Sequence, residues 1–420
     1  MKKIKIFIIA DSPLAPSGVA GQTRYMIEGL LKTGKYKFVC FGGAIKHPDY
    51  TPIQVDPYGE DWKIYPVDGY GNPDQVRSCL QAEKPDVMWI MTDPRFYTWL
   101  WSMENEIRAV VPLVYYHVWD NYPYPMFNRD YYMSNDFIAT ISKLTDDIVA
   151  NVAPEVERER VPHTVNTNIF KKYDDSVVSE FLLQNGLAKD LDSKKFTFFW
   201  NNRNARRKQS GSVLWWFSEF LDKIGRDKAR LIMHTEPKDP NGQDLEAIMN
   251  QVGLDNGEVL ISVKKVSLEE LALLYNASDC TINISDAEGF GLATLESLSC
   301  EVPVIVNMTG GLQEQVTDGE NWFGKGIEPS SKAVIGSQEV PYIYEDRISK
   351  EDFLNSLEEM YNASKEEREE MGRQGRQHIL SNYGFEDYVK QWDSVLSGVV
   401  ERHGSWETRK YKSWEFMKLS

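Results

Sequence analysis

Short apolar runs and helix-forming stretches alternate along this chain, and the alternation breaks off and restarts once. Lys5–Ala10 reads as a buried strand, followed by a loop with Pro13, Pro16 and Gly18 and a helix from about Gly21 to Thr33. Lys37–Phe41, Val87–Met91, Leu113–His117 and Phe137–Ile141 are further apolar runs bounded by turns or helical pattern. Strands apolar on both faces and separated by helices predict a doubly wound parallel sheet. The second series has strands at Lys195–Trp200, Ala229–Met233, Cys280–Ile284 and Pro303–Val306, with helices at Gly211–Ile224 and Leu268–Asn276. Two such series in 420 residues fit two domains better than one core. The expected division is a first domain over 1–168, a linker over 169–194, a second domain over 195–384 and a tail over 385–420. The tail is helical and rich in aromatic residues (Tyr388, Trp392, Trp406, Trp414), and is expected to pack back on the first domain. Glu328–Arg347 carries Pro, Ser and Gly without period and reads as an ordered insertion.

The charge balance narrows the function classes. A net charge of −16 argues against a primary nucleic-acid binder, which needs a basic face. The first residues, Met-Lys-Lys-Ile-Lys-Ile-Phe-Ile-Ile-Ala, superficially resemble a signal peptide, but Asp11 follows at once without a small-residue cleavage site, so a first buried strand is expected. No run approaches the ~18 apolar residues that span a bilayer. Cys40, Cys79, Cys280 and Cys300 are scattered in apolar surroundings without paired spacing, as buried free thiols of a cytoplasmic protein would be.

The chemistry concentrates in Glu288-Gly-Phe-Gly-Leu-Ala-Thr-Leu-Glu296. Two acids bracket a glycine-containing turn between a strand and the start of a helix. A helix start presents unpaired N–H groups and positive dipole character, so it receives anions. Gly289, Phe290, Gly291, Leu292, Ala293 and Thr294 form the expected cradle, with the N–H groups of Phe290 to Ala293 offered to a phosphate. Glu288 and Glu296 can accept sugar hydroxyls, so a sugar nucleotide is the ligand this pattern suits. The plainer alternative is a pair of surface acids at a helix start, where acids are favoured anyway. Upstream, Arg203, Arg206, Arg207 and Lys208 form a basic cluster in an acidic chain. Arg203 as a planar fork and Lys208 as a point charge suit a diphosphate.

These motifs, in their order, resemble those of the retaining glycosyltransferases of family 4, which have the GT-B architecture. Asp279, Ser285-x-x-Glu288-Gly-Phe-Gly and Glu296 are similar to that family's acid–x7–acid element. Val302-Pro-Val-Ile-Val306, Thr309-Gly-Gly-Leu-Gln-Glu314 and Asp318-Gly-Glu-Asn321 continue it. Val161-Pro-His-Thr-Val-Asn166 resembles the family's crossover segment, and Asn202-Arg203-x4-Lys208 its Arg-x4-Lys pair. The family's usual glycine after that lysine is Gln209 here, and its paired first-loop glycines are the separated Gly18 and Gly21.

The resemblance implies an α/β fold of two Rossmann-like, doubly wound domains facing across a cleft, the first (1–168) on the acceptor side and the second (195–384) holding the nucleotide-sugar donor, with the C-terminal helix crossing back to the first. It implies a metal-independent, retaining transferase with no cofactor, using a nucleotide-diphosphate sugar as donor and an acceptor hydroxyl as nucleophile. Arg203 and Lys208 would hold the diphosphate, Glu288 the transferred sugar and Glu296 the ribose. His117, at the end of a first-domain strand, would contact the donor sugar near the reaction centre, and the loop with Gly18 and Gly21 would approach phosphate or acceptor. The histidine and the glycines also have purely structural readings, and His163 and His234 are expected to be structural. The run Phe96-Tyr-Thr-Trp-Leu-Trp101 reads as core or lid in preference to a sugar platform. A sugar-nucleotide epimerase and a non-catalytic sugar-nucleotide binder are the rival functions. The acceptor stays open among glycan, lipid-linked sugar, small molecule and modified nucleobase, with the acidic charge weighing against DNA and against more than peripheral membrane contact.

Overall fold

The computed structural model describes residues 2–185 and 195–411, so Trp414 and the end of the expected linker (186–194) lie outside the described residues. The chain divides into two compact units. The described residues of Met1–Thr164, Gly336–Ile343 and Phe385–Ser420 form one, and Val165–Ile335 with Tyr344–Gly384 the other.

In the first unit eight strands form one sheet: β1 (Ile4–Asp11), β2 (Tyr36–Gly43), β3 (Ile53–Val55), β4 (Gly59–Pro66), β5 (Val87–Met91), β6 (Leu113–His117), β7 (Phe137–Thr140) and β8 (Glu157–Arg160). Their order is β3-β4-β2-β1-β5-β6-β7-β8, and the ladders are parallel except the β3–β4 pair. Ile8 of the central β1 pairs with Cys40 on one side and Trp89 on the other, and Ile6–Ala10 are fully buried. Burial on both faces is why this strand reads as a continuous apolar run.

The following helix, Gly18–Lys32, starts at Ser17, whose hydroxyl accepts from the Ala20 N–H at 3.1 Å. The C-terminal helix Phe385–His403 packs on it within the same unit. A Cβ on Gly29 would lie 2.2 Å from Val389 Cγ2, so the missing side chain sets the approach of the two helices. Tyr388 donates to the Gln22 carbonyl at 3.1 Å, and the buried Trp392 meets Tyr116 edge-on with centroids 4.9 Å apart.

The second unit holds β9 (Phe196–Asn201), β10 (Ala229–His234), β11 (Val259–Ser262), β12 (Cys280–Asn283), β13 (Val304–Asn307) and β14 (Gly324–Ile327). These six strands are all parallel, in the order β11-β10-β9-β12-β13-β14. Phe198, Trp200, Leu231, Ile282 and Ile305 fill the core with Phe217 and Leu221 of the helix Ser210–Ile224.

Inside Glu328–Arg347, a two-stranded ladder pairs β15 (Ser331–Ile335) with β16 (Ile343–Arg347). The turn between them, with the first residue of β16 (Gly336–Ile343), groups with the first unit, where Val340 is buried in the core and Tyr342 meets Phe127 edge-on at 5.1 Å.

The strand order reverses between β9 and β12 in the second sheet and between β1 and β5 in the first. Loops leaving the carboxyl ends of neighbouring strands diverge at such a reversal and open a crevice where ligands bind.

Candidate functional site

At the reversal of the second sheet, the loop after β9 and the loop after β12 are tied together by backbone and side chains. The Asp286 N–H donates to the Arg207 carbonyl at 2.8 Å, and the Arg207 guanidinium donates to the Ala287 carbonyl. Lys208 ends a short 3-10 turn, Arg206–Lys208, and its ammonium donates to the Glu288 carboxylate. Both side chains of that pair are largely buried, 10% and 13% exposed, and Arg207 Nη1 stands 3.7 Å from the same carboxylate. Burial alone would raise the Glu288 pKa. The charges of Lys208 and Arg207, with hydrogen bonds from Lys208 and Ser285, outweigh it and hold the carboxyl below its usual range.

Gln209 adopts φ +57, the left-handed conformation that glycine takes without cost. The departure from glycine at this position therefore leaves the backbone as the turn requires. The side chain finds a use, donating to Asp286 at 2.6 Å. Asp286 is buried, and desolvation against that hydrogen bond leaves its pKa at about 6.

A third loop supports the turn from below. The Gly311 N–H donates to the Glu288 carbonyl at 3.0 Å, and the Gln315 amide to the Phe290 carbonyl at 2.7 Å. A Cβ on Gly310 would fall 1.7 Å from the Glu288 carbonyl oxygen, and one on Gly311 2.6 Å from Phe290. The paired glycines after Thr309 are thus the condition for two backbones to touch.

Gly291, at φ +93, opens the helix Leu292–Ser299. The N–H groups of Leu292 and Ala293 stand in its first turn, where no intrahelical acceptor exists. The Thr294 N–H is taken by the Gly291 carbonyl at 3.1 Å, while the buried Thr294 hydroxyl has no hydrogen-bond partner among the described residues. The Phe290 ring is buried against Tyr383, so this residue offers backbone alone. Gly289 lies in the same loop, between Glu288 and Phe290.

Glu296 lies one turn into this helix and accepts from Tyr275 at 2.8 Å. Tyr275 in turn accepts from the Asn201 amide at 2.9 Å, at the end of β9. Burial raises the Glu296 carboxyl and the single hydrogen bond only partly offsets it, leaving a pKa of about 7. The two acids of the nonapeptide therefore differ in kind: Glu288 is ionised at neutral pH and Glu296 is poised.

Arg203 is not gathered into this cluster. Its guanidinium holds Asp239 through two bonds of 2.7 and 3.2 Å, with the side chain 64% exposed, and draws that carboxyl down to about 2. Arg207, which the sequence shows only as one member of a basic run, occupies the place beside Glu288. Tyr275 is a further residue of the site that the sequence does not single out. Tyr275 lies in a helix pattern that reads as core, and nothing short of the fold brings it to Glu296.

In the first unit, His117 ends β6 fully buried, with Nε2 2.7 Å from the Tyr132 hydroxyl and that ring edge-on at 4.8 Å. Burial lowers its pKa to about 3, so the imidazole is neutral at physiological pH, and Nδ1 has no partner among the described residues. Gly18 opens the first helix behind the Ser17 cap. The Gly21 N–H donates to the Ser17 carbonyl at 2.9 Å, and the space of its absent Cβ is empty to 4 Å. His163 pairs with the Tyr116 hydroxyl and His234 with Ser262, both inside packed strands and loops. Among the described residues no group of three or more His, Cys, Asp or Glu is placed to hold a metal ion, and no helix is long and apolar enough to cross a membrane.

Residues 238–378 match the family model described as glycosyl transferases group 1. A trehalose synthase from Thermococcus litoralis is 29% identical over 109 residues, which cover 26% of this chain and 26% of that protein. A D-inositol 3-phosphate glycosyltransferase from Thermomonospora curvata is 45% identical over 66 residues, 16% of this chain and 15% of that one. The chain thus spans about a quarter or less of the length of these relatives. Similarity of fold runs much further. A sucrose-phosphate synthase from Thermosynechococcus elongatus superposes with a TM-score of 0.74 at 14% identity, covering 95% of this chain and all of its own. Anabaena Alr3699/HepE, solved with UDP and glucose, gives 0.70 at 14% identity, covering 94% of this chain and 100% of that one.

Proposed function

We propose that this chain, a GT-B-fold protein whose residues 238–378 belong to the group 1 glycosyl transferases, moves a sugar from a nucleotide-diphosphate sugar to an acceptor hydroxyl with retention of configuration. The observation that carries this reading is the buried Lys208–Glu288 pair at the strand-order reversal, held over the Gly310–Gly311 backbone. It joins a fixed cation to a fixed hydroxyl acceptor on the turn that leads into a helix start.

Breaking the bond between a sugar and a diphosphate builds negative charge on the leaving phosphate and positive charge on the ring. Lys208 and Arg207, joined by Arg203 if it leaves Asp239, meet the first need, and preorganised charge of this kind is commonly the largest contribution to such a rate. The Leu292 and Ala293 N–H groups add to it. Glu288 orients the transferred sugar through its hydroxyls, and Glu296 accepts the ribose hydroxyls. The neutral His117 keeps Nδ1 for a donor-sugar hydroxyl, and the Gly18–Gly21 helix start leaves room for a ligand atom at Gly21. The acceptor hydroxyl attacks on the face the diphosphate leaves, and the departing phosphate oxygen takes its proton. No protein nucleophile and no metal ion enter this scheme. The four free, buried cysteines are consistent with a cytoplasmic setting.

The test is release of nucleoside diphosphate from a panel of UDP- and GDP-sugars in excess chelator between pH 6 and 8. Glu296 holds ribose best when ionised, so donor affinity rises with pH through about 7. With that pKa the ionised fraction, and with it the affinity, grows about tenfold across the range. The same raised pKa contributes folding stability that is full below the unfolded carboxyl value and lost as pH climbs through about 7. Glu296→Gln flattens both dependences. Absence of release from every donor, or its abolition by chelation, contradicts the proposal.

A further inference from the structure

The Glu328–Arg347 insertion carries no motif, yet its second strand is bonded to three loops of the candidate site. Tyr344–Arg347 of β16 belong to the second unit, and Ser330 closes the hairpin there, its N–H and hydroxyl donating to the Arg347 carbonyl at 2.9 and 3.1 Å. In this strand Glu345 is buried, its side chain 2% exposed. A buried carboxylate is costly unless it is paired and hydrogen-bonded. The partner comes from the turn after β9. The Arg206 guanidinium takes both carboxylate oxygens, Nη1 donating to Oε2 at 3.1 Å and Nη2 to Oε1, and Arg347 Nη2 adds a bond to Oε2 at 2.8 Å. Burial would raise the Glu345 carboxyl, but the bonds and charges of Arg206 and Arg347 outweigh it and hold it below its usual range. A two-point fork of this kind fixes the orientation of the guanidinium as well as its distance.

Arg206 opens the 3-10 turn that Lys208 ends. The Arg206 N–H donates to the Asn241 carbonyl at 3.0 Å and the Lys208 N–H to the Ala205 carbonyl at 2.8 Å. One end of the turn is thus tied to Glu345, and the other delivers the Lys208 ammonium to Glu288. The next residue of β16 holds the other two loops. The Asp346 N–H donates to the Asp286 carbonyl at 2.9 Å, in the loop after β12. The Asp346 carbonyl accepts at 2.7 Å from the Asn307 amide, which also donates to the Ser285 carbonyl at 2.8 Å. The Asp346 carboxylate accepts from the Thr309 hydroxyl at 2.8 Å, one residue before the glycine pair that touches the Glu288 backbone. A hairpin that merely covered the sheet would need apolar residues here, not two acids aimed at the site loops.

We propose that Glu345 is a positioning residue of the donor site: through Arg206 it holds the Arg206–Lys208 turn so that Lys208 stands preformed at Glu288, while Asp346 fixes the Asp286 and Thr309 loops beside it. This rests on the transferase reading and gives the insertion a part in its chemistry. Glu345→Gln keeps the size of the side chain and removes its charge. Assayed well below its melting temperature, the variant loses about tenfold or more in kcat for diphosphate release, with the donor KM within about threefold, because a misplaced charge is felt most where charge develops. Arg206→Met gives a similar loss. The double variant is no slower than the slower single one, as for two residues acting through one contact. Val334→Ala, 65% exposed on β15, turns over like the parent. In the free chain, Glu345→Gln speeds amide exchange at Arg206–Lys208 and leaves β10 as it was.

A hairpin that only stabilises the fold would lower the melting temperature and leave kcat per folded molecule unchanged. That result overturns the proposal, as do losses that multiply in the double variant. Exchange needs no donor, so it separates the two readings. Diphosphate release by the parent, with exchange at the turn unchanged in Glu345→Gln, removes the positioning role alone. A parent inactive on every nucleotide sugar removes the transferase reading and the catalytic part of Glu345 with it.

Discussion

Lys208→Ala lowers nucleotide-sugar turnover roughly a hundredfold to a thousandfold, the effect of removing one preorganised charge from a developing anion. The same substitution leaves Glu288, 13% exposed, with the Ser285 hydrogen bond and the more distant Arg207 guanidinium at 3.7 Å. Breaking one side of a buried ion pair costs about 3 kcal/mol or more. The folding loss and the catalytic loss have different remedies. Lys208→Ala combined with Glu288→Gln removes the unpaired charge, so urea unfolding recovers toward the parent while turnover stays low. Recovery of both in the double variant, or parent-like turnover in Lys208→Ala, places the donor's phosphates elsewhere.

Gly310→Ala is expected to be among the most destabilising single substitutions in the second unit. The position combines φ +52 with a Cβ that would sit 1.7 Å from the Glu288 carbonyl oxygen, and that neighbour is backbone with nowhere to move. Overpacking of this kind adds to the left-handed cost of about 1–2 kcal/mol, for a total of about 3 kcal/mol or more. Gly319→Ala is the control. It shares a positive φ, +100, but a Cβ there meets nothing within 4 Å, so it pays the conformational term alone. Urea midpoints that move equally for the two variants would mean that the Gly310 contact with the nonapeptide does not matter. A larger shift for Gly310→Ala, with donor release falling further than stability explains, ties that contact to the site.

Much of the architecture was legible because the central strands are buried on both faces. Lys5–Ala10, Val87–Met91 and Ala229–Met233 each lie within or coincide with an observed strand. The strands that escaped notice fail that signature for identifiable reasons. β8 is Glu-Arg-Glu-Arg at the sheet edge, where side chains face water and apolar alternation is not needed. β14 contains Gly324 and Gly326, and a Cβ on Gly324 would lie 1.9 Å from the Val304 carbonyl oxygen, so it reads as a turn while pairing tightly with β13. The turn between β15 and β16 groups with the first unit although its flanks belong to the second, which no local pattern encodes.

In the candidate site the local parts were visible and the long-range ones were not. The nonapeptide, the helix start and the basic run that contains Lys208 are each legible in the sequence, although the fold alone brings Lys208 to Glu288 across 80 residues. Arg207 reaches Glu288 from within the 3-10 turn Arg206–Lys208, whereas Arg203 precedes that turn and Asp239 takes its guanidinium from 36 residues away. The difference between the two acids likewise comes from tertiary partners: two cations at Glu288 and a single phenol at Glu296.

Amide hydrogen exchange with and without UDP-glucose, or the donor that the panel identifies, locates the ligand without presuming its chemistry. Saturating donor should slow exchange in peptides spanning Arg206–Lys208 and Glu288–Ala293, and Lys208→Ala should abolish that protection at the same donor concentration. Bound donor that leaves both segments exchanging as in the free protein would contradict a site built on the Lys208–Glu288 pair.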